Sequence, residues 1–266
     1  ISNLLSIGER WDLAAPGLVE HAIAQGWHPA GEPFHFARCY GDPQFNIEGP
    51  RRRYERSTAL LQAAQGQITV QTMMAALRDH GPDPEWRPGE GMTVDTLCHH
   101  ACQGPHRGSQ SVGSLVAHLQ PDLPAFWLTG TSGPCAGLFK PVYLGGAGLP
   151  DLGPELGGRY DPATLWWSHE GLLRAVLRDY RARLAAYREA RDALEAAFLA
   201  ETCEVEARCR GFHGETRAQA LQCFSAACFR RAREATVEWA ARVDRMPAPN
   251  PLGPAWEACN REAGMQ

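Results

Sequence analysis

The sequence predicts an α+β fold in which a small antiparallel sheet is followed by a long helical hairpin. The stretch Phe126–Leu144 (FWLTGTSGPCAGLFKPVYL) has an apolar, strand-like run at each end and the turn residues Thr131-Ser132-Gly133-Pro134 in its middle. That pattern is typical of a β-hairpin or a wider β-loop. Residues 161–246 carry apolar side chains at spacings of three and four, which is typical of long amphipathic helices.

Length, composition and charge exclude some classes of function. The 266 residues suit one large domain or two small ones, and a hydrophobic content of 44% suffices for a sizeable core. No apolar run is long enough to span a membrane. A net charge of -4 and a pI near 6.2 argue against a nucleic-acid-binding surface, and the run Arg51-Arg52-Arg53 is too short to reverse that conclusion. We therefore expect neither a nucleic-acid nor a membrane partner.

The nine cysteines indicate a reducing compartment. Their number is odd and several fall within helical patterns, which favours free thiols in a cytoplasmic protein over a disulfide framework. The sequence opens with Ile1 in an apolar run, without Met and without a signal-peptide pattern. We therefore expect it to begin inside a longer protein, so that any targeting signal lies outside the printed residues.

Local signals predict the elements that precede and build the sheet. Ile1–Ile7 (ISNLLSI) has the apolar run of a short buried strand. Ser109–Leu119 alternates in part and predicts a strand that pairs with the two arms of the hairpin, which makes an antiparallel meander. Helices are predicted from Pro16 to Gly26, from Pro50 onward in an Arg-rich segment, and from Val70 to His80 after the N-cap Thr69.

The remaining sequence predicts long helices. Asp161-Pro162 has the residue types of a helix N-cap and first turn, and we expect that helix to reach about Ala200. A second helix is expected from about Glu215 to Met246, packed antiparallel to the first. We thus expect four parts. They are an α+β part at 1–145, a Gly- and Pro-rich linker at 146–160, a long helical pair at 161–246 and a tail at 247–266.

Lys140, in the second arm of the hairpin, is the only lysine among the 26 basic residues. Two interpretations remain open. Compositional bias toward arginine explains a single surviving lysine without any special role. Alternatively, the position needs a compact charge where a planar guanidinium does not fit.

Several residues have the chemistry of catalytic or metal sites, but their spacing identifies none. Cys98-His99-His100-Ala101-Cys102, with His106 nearby, offers metal ligands without the paired spacing of a zinc motif, so we expect packed or solvated side chains and neither a metal nor a cofactor. Cys39 or Cys135 could form a nucleophilic pair with a histidine, although a buried inert cysteine is the simpler expectation for each. His169-Glu170 predicts a core histidine beside a solvated carboxylate.

Several segments, taken in order, resemble the C69 peptidase family, which contains bacterial dipeptidases and the secernins. The resemblance covers roughly Ile1 to Phe198, and the secernin-like branch is the most similar. It is carried by ISNLLSIGERWD (Ile1–Asp12), ITVQTMMAALRDHG (Ile68–Gly81), SQSVGSLVAHL (Ser109–Leu119), LTGTSGPCAGLFKPVYL (Leu128–Leu144) and LWWSHEGLLRAVL (Leu165–Leu177).

That resemblance implies an N-terminal-nucleophile (Ntn) hydrolase with a four-layer αββα sandwich. In such an enzyme an N-terminal cysteine attacks an amide bond, its own α-amino group acts as base, and hydrogen-bond donors stabilise the oxyanion. The first residue here is Ile1, so this sequence departs from the family pattern. We expect 1–145 to be the later part of the sandwich, with the nucleophile in an absent N-terminal part, and this fragment alone to be inactive.

The resemblance also implies supporting site residues. Asn3 resembles an asparagine that related hydrolases place beside the scissile carbonyl, although an Asn capping a strand end or making a turn is an equal alternative. Arg53 resembles an arginine near the nucleophile, where its charge would favour a thiolate. The alignment could shift to Arg52 or Arg56, and a solvated helix face is the simpler alternative. Candidate substrate-binding residues in the same region are Thr129, Gly130 and Thr131.

The expected function is therefore that of a fragment of a cytoplasmic C69-like cysteine amidohydrolase, a dipeptidase acting on short peptides. Its expected partners are a short peptide substrate and the missing N-terminal part of the same protein, with a homo-oligomer also open. The alternative is a secernin-like, non-catalytic protein that works through interactions of its long helices. An acyltransferase with the same nucleophile would differ only in its acceptor.

Overall fold

The computed structural model describes residues 2–89, 95–101, 108–144 and 148–265. Its mixture of helices and a small antiparallel sheet, with a helical C-terminal region, confirms the α+β class. The helices are α1 (Leu18–Ala24), α2 (Phe36–Tyr40), α3 (Glu48–Ala63), α4 (Val70–Leu77), α5 (Leu165–Leu177), α6 (Tyr180–Cys209), α7 (Gly214–Asp244) and α8 (Pro254–Ala263). The strands are β1 (Leu115–His118), β2 (Ala125–Leu128) and β3 (Lys140–Val142).

The three strands form the expected antiparallel meander in the order β1-β2-β3. Val116 pairs with Trp127 across the first ladder, and Trp127 pairs with Pro141 across the second. Proline is tolerated in β3 because this strand has a partner on one side only in the described sheet, so a missing N–H need not break a ladder. The predicted hairpin and the predicted meander are both confirmed.

The main hydrophobic core lies between this sheet and the helices packed on it. Its buried members include Val116 and Trp127 from the sheet, Met74 from α4, Leu172 from α5 and Phe198 from α6. The C-terminal helices are therefore part of the same core as the sheet. They do not extend from it as a free pair.

Helices α6 and α7 pack antiparallel, as expected. Tyr187 stacks on Trp239 with ring centroids 5.0 Å apart, and nearer the connecting turn Glu201 pairs with Arg231 at 2.7 Å. Along these two contacts the residue number rises in α6 while it falls in α7, so the two helices run in opposite directions.

The first long helix differs from its prediction at both ends. It begins at Leu165, where the Thr164 side chain accepts from the Trp167 N–H, and not at Asp161, whose carboxylate instead stabilises a turn. It also stops at Leu177. Asp179 has φ −162° and ψ 78°, which breaks the helix, so α6 starts anew at Tyr180 and continues to Cys209, well beyond Ala200.

The predicted N-terminal strand is wrong. Residues 2–7 have no regular secondary structure. The carbonyl groups of Ile7 and the following Gly8 bind another element instead. They accept hydrogen bonds of 3.0 Å from the N–H groups of Ala37 and Phe36, respectively, at the start of α2. The segment thus provides hydrogen-bond acceptors for the first N–H groups of α2 and does not join a sheet.

The expected tail contains α8, and this helix is docked. Trp256 is fully buried in a small cluster with Ala101 and Leu177. Helix α8 also contacts the end of the Gly- and Pro-rich segment, since Tyr160 N–H donates to Ala263 O at 2.8 Å. Residues 145–147 lie outside the described residues, and the division into four parts stays a prediction.

The described residues form one sheet with helices packed against it, so the second sheet of an αββα sandwich stays a prediction. Within the same residues, no helix combines the length and the apolar character needed to cross a bilayer.

Replacing Trp256 by alanine is expected to lower the free energy of unfolding by about 3–5 kcal/mol, because a large buried side chain would leave a cavity. Trp27→Ala is the matched control, since that side chain is 48% exposed, and it is expected to cost about 1 kcal/mol or less. Urea unfolding of both variants measures the difference. Equal losses would contradict the docking of α8.

Candidate functional site

Two cysteines and two histidines converge in the interior. His80, Cys98, His100 and Cys135 each offer one ligand atom, and the four atoms lie within 4.8 Å of one another. His100 is central, because its Nε2 lies 3.4 Å from Cys98 Sγ, 3.1 Å from Cys135 Sγ and 3.2 Å from His80 Nε2. His80 is partly exposed and the other three side chains are buried. We call these four residues the Cys/His cluster.

The end of α4 positions two members of the cluster. This helix stops at Leu77, three residues before the predicted end, which frees the next residues for tertiary contacts. Asp79 O accepts a hydrogen bond of 3.0 Å from Cys98 N–H, and its carboxylate binds Arg56 of α3 at 2.7 Å. His80, the following residue, therefore faces the segment that carries Cys98 and His100.

The turn between β2 and β3 delivers Cys135. Gly133 adopts a φ of 53°, which favours glycine, and its N–H donates to Ser111 O at 2.9 Å. Arg78 donates to Pro134 O at 2.8 Å and to Gly137 O at 3.0 Å, and Arg191 donates to Cys135 O. Two guanidinium groups thus hold the main chain on both sides of the thiol.

The two thiols have different acidities. Burial acts to raise the pKa of Cys135, but the hydrogen bond from Cys98 and the neighbouring His100 outweigh it and hold that pKa well below its usual value. Burial, followed by the hydrogen bond to Cys135, raises the pKa of Cys98 well above its usual value. The pair therefore favours one thiolate, on Cys135, with Cys98 as its donor.

A cleft of about 510 Å³ reaches the cluster at His80. Its walls include Trp86 and Tyr180, and the His80 ring stacks on Trp86 with centroids 3.9 Å apart. Aromatic rings therefore cover the cluster, and the partly exposed His80 is its member on the cleft side.

A second polar contact joins Asn3 and Arg53. Arg53 Nη2 donates to Asn3 Oδ1 across 50 positions of sequence, and Ser2 Oγ donates to Pro50 O at 2.6 Å. Arg53 is only 6% exposed, so the alternative of a solvated helix face is wrong for this residue. Asn3 itself is exposed.

The two other candidate arginines make different contacts. Arg52 is exposed and pairs with Asp95 at 2.7 Å, whereas Arg56 pairs with Asp79. Burial and then the charge on Arg53 lower the pKa of His99, which places Arg53 near the residue that precedes His100. The charge of Arg53 thus acts on the residue next to His100 in sequence.

The expected substrate-binding residues form a separate group. Thr129 and Thr131 are buried, and Thr129 Oγ1 donates to Thr131 O at 3.0 Å while accepting from Ser114 N–H at 2.9 Å. Gly130 between them has a φ of 59°, which a side chain would strain. These contacts fasten the end of β2 to the segment before β1. A role in binding substrate stays a prediction.

Lys140 occupies a site that suits a compact cation. Its Nζ is buried and donates to Thr129 O at 2.5 Å and to Leu138 O at 2.8 Å. Burial lowers its pKa to about 7, with Glu195 and Arg78 acting in opposite directions. Two converging carbonyls inside a packed sheet favour the second interpretation of the single lysine.

The prediction that the Glu170 carboxylate is solvated is wrong. Glu170 is fully buried, forms an ion pair with Arg174 at 2.9 Å and accepts from Ser132 Oγ. His169 is buried as expected and contacts Ser132 O at 2.8 Å. Burial, followed by the charge on Lys140, lowers the His169 pKa to about 4.

The sequence did not predict the Cys/His cluster as a unit. Cys98 and His100 were candidates in one segment and Cys135 in another, and His80 was not singled out. Cys102 and His106, named with them, lie outside the described residues. The available signal was weak, because the four members come from three separate segments and only Cys98 and His100 are close in sequence. No protein-family model matches the sequence.

Lys140 predicts a pH dependence of stability. Its pKa is about 7 in the fold and near 10.5 in the unfolded chain, so the unfolded state binds more protons between these values and stability rises with pH. From pH 7 to 9.5 the rise is on the order of 3 kcal/mol. Lys140→Met removes this rise, and urea unfolding at both pH values measures it. The same rise in both proteins would contradict a buried lysine with a lowered pKa.

Proposed function

We propose that this chain is part of a cysteine-dependent amidohydrolase of the C69 type that cleaves short peptides. Its nucleophile would be an N-terminal cysteine outside the printed sequence. The contact between Arg53 and Asn3 is the observation that carries the proposal. The family resemblance names both residues as site residues, and they meet although 50 positions separate them.

The geometry of this contact suits oxyanion stabilisation. Because Asn3 Oδ1 accepts from Arg53, the amide is oriented and its Nδ2 remains as a donor on an exposed residue. A neutral donor held beside a scissile carbonyl stabilises the negative charge that develops on the carbonyl oxygen. Arg53 is the buried cation that contacts Asn3. A fixed positive charge near a thiol favours the reactive thiolate.

The Cys/His cluster is a poorer candidate for the nucleophile. Cys135 does lie 3.1 Å from a possible base, His100. However, its side chain is buried, and among the described residues the nearby cleft is lined by His80, Trp86 and Tyr180, so the thiol is not exposed to a peptide in that cleft. Attack on a peptide needs the nucleophile within about 3–3.5 Å of the carbonyl carbon.

Two rival functions give different results in the same assay. An acyltransferase with the same nucleophile would transfer the acyl group to an acceptor amine in preference to water. A secernin-like interaction protein, acting through its long helices, would turn over no dipeptide at all. Release of free amino acids as the main product, from dipeptides supplied together with an acceptor amine, therefore separates the proposal from both.

Asn3→Ala in the full-length protein is expected to lower kcat for dipeptide hydrolysis by about 100- to 1000-fold, the usual effect of losing one oxyanion donor. Arg53→Met is expected to lower activity as well and to shift its onset to higher pH, because the thiol loses a stabilising cation. Arg51→Met is the matched control, since Arg51 lies on the same helix with half of its side chain exposed.

Steady-state kinetics on these variants decide the matter. A wild-type protein without dipeptidase activity would sink the proposal. So would an Asn3→Ala variant with the wild-type kcat and pH profile.

A further inference from the structure

Three separations within the Cys/His cluster, all from His100 Nε2, match the edges of a metal-coordination tetrahedron, and the remaining three are each within 4.8 Å. Metal–sulfur bonds of about 2.3 Å and metal–nitrogen bonds of about 2.0 Å give edges of about 3.3 Å between nitrogens, about 3.6 Å between nitrogen and sulfur and about 3.8 Å between sulfurs. The nitrogen–nitrogen separation is 3.2 Å, and the two nitrogen–sulfur separations from His100 are 3.4 Å and 3.1 Å. Each lies within about 0.5 Å of the corresponding edge.

Hydrogen bonding alone does not account for the arrangement. His100 Nε2 has three polar neighbours within 3.4 Å, which are two sulfurs and another imidazole nitrogen. A ring nitrogen carries either one proton or one lone pair, so it makes one good hydrogen bond in the ring plane. Its two other contacts are then not hydrogen bonds, even though Cys98 finds a partner in Cys135. The approach of the His80 nitrogen to 3.2 Å is the contact that a hydrogen bond from His100 to sulfur leaves unexplained.

We propose that His80, Cys98, His100 and Cys135 bind one divalent metal ion of the zinc class in a tetrahedral Cys₂His₂ site. Two thiolates neutralise the dication, and two neutral imidazoles complete its coordination. Any protons on the thiols leave to solvent as the metal–sulfur bonds form. This site is independent of the proposed hydrolase function.

The neighbouring contacts hold the ligands in place before a metal arrives. Cys98 is fixed through its N–H to Asp79 O, and its carbonyl accepts from Thr96 Oγ1 at 2.8 Å. Cys135 is fixed through its carbonyl to Arg191. Such main-chain support is what keeps ligand geometry within the narrow tolerance of a tetrahedral ion.

Four protein ligands leave no open position, so the site is of the structural kind. The ion would tie the end of α4, the segment around Cys98 and the turn before β3, which are far apart in sequence. Its effect is therefore to stabilise the fold around the cleft, and the cleft at His80 gives the ion a path of entry. The expected chemistry is binding and not catalysis.

A disulfide between Cys98 and Cys135 is the competing use of the two thiols. It would leave the paired imidazole nitrogens 3.2 Å apart with no cation between them. It would also give no reason for His80 and His100 to converge on the sulfurs. The four-residue geometry therefore favours a metal.

The test measures metal binding by the reduced full-length protein with Zn²⁺ as the only added ion. We expect one zinc per Cys/His cluster after dialysis, measured by elemental analysis. If the protein holds further zinc elsewhere, the variants below assign the ion. Cobalt(II) substituted at the cluster is expected to give the intense visible bands of a tetrahedral site together with a sulfur-to-cobalt charge-transfer band.

Variants locate the ion. Cys98→Ser and Cys135→Ser are each expected to weaken zinc affinity by about 100-fold or more, measured by competition with a chromophoric chelator. Cys228→Ser is the matched control, because Cys228 is equally buried but lies in α7 outside the cluster. His80→Gln removes the one ligand that is partly exposed, where a substitution disturbs the core least. We expect it to weaken zinc affinity to a similar extent.

Thermal unfolding gives a second readout. Zinc is expected to raise the Tm of the wild type and of Cys228→Ser, and to leave the Tm of His80→Gln nearly unchanged, because an ion stabilises only the state that binds it.

Three results would overturn the proposal. One is a protein that retains no zinc under reducing conditions. Another is wild-type affinity in both Cys98→Ser and Cys135→Ser, which would place the ion elsewhere. The third is an intact Cys98–Cys135 disulfide, found by peptide mass mapping in protein purified without air. None of these measurements involves peptide hydrolysis, so their outcome is separate from that of the proposed function.

Discussion

The largely buried ion pair between Arg78 and Glu195 is the interaction on which the site depends. The two side chains meet at 2.6 Å, and Glu195 also accepts from Phe139 N–H at 2.9 Å. Burial acts to lower the pKa of Arg78, but Glu195 outweighs it and raises that pKa. Because Arg78 also donates to the main chain around Cys135, the pair joins α4, α6 and the turn before β3. Removing either partner would leave an uncompensated charge in a largely buried position, where the cost approaches the roughly 3–5 kcal/mol of a fully buried pair.

Several of the many arginines bind main-chain carbonyl groups in the interior. Arg78, Arg183 and Arg191 all donate to main-chain carbonyls of irregular segments, which cannot be satisfied by helices or strands. A guanidinium has five donors in a plane and can serve several carbonyls at once. Lys140 lies where two carbonyls converge on one point, and there an ammonium is the better cation. The arginines thus hold the irregular segments through hydrogen bonds to their carbonyls, and Lys140 does the same at the end of β2 and in the segment before β3.

Local signals predicted the local structure, and distant contacts explain what they missed. The turn residues before Cys135 predicted the hairpin, and Thr69 predicted the start of α4 through its capping hydroxyl. The break at Asp179 contains neither Pro nor Gly, so no local signal marks it. Burial of Glu170 and Trp256 depends on partners far away in sequence, which are Ser132 and Leu177. The Cys/His cluster escaped prediction for the same reason, since its members join three segments only after folding.

The proposed hydrolase function and the proposed metal site depend on different contacts, and the metal site makes the more direct physical claim. X-ray absorption at the zinc edge of the zinc-loaded, full-length protein tests it most directly, because it counts and identifies the coordinating atoms. We expect two sulfurs at about 2.3 Å and two nitrogens at about 2.0 Å, with the sulfur signal reduced in Cys135→Ser. A spectrum with only nitrogen and oxygen neighbours, or one unchanged by that substitution, would contradict it.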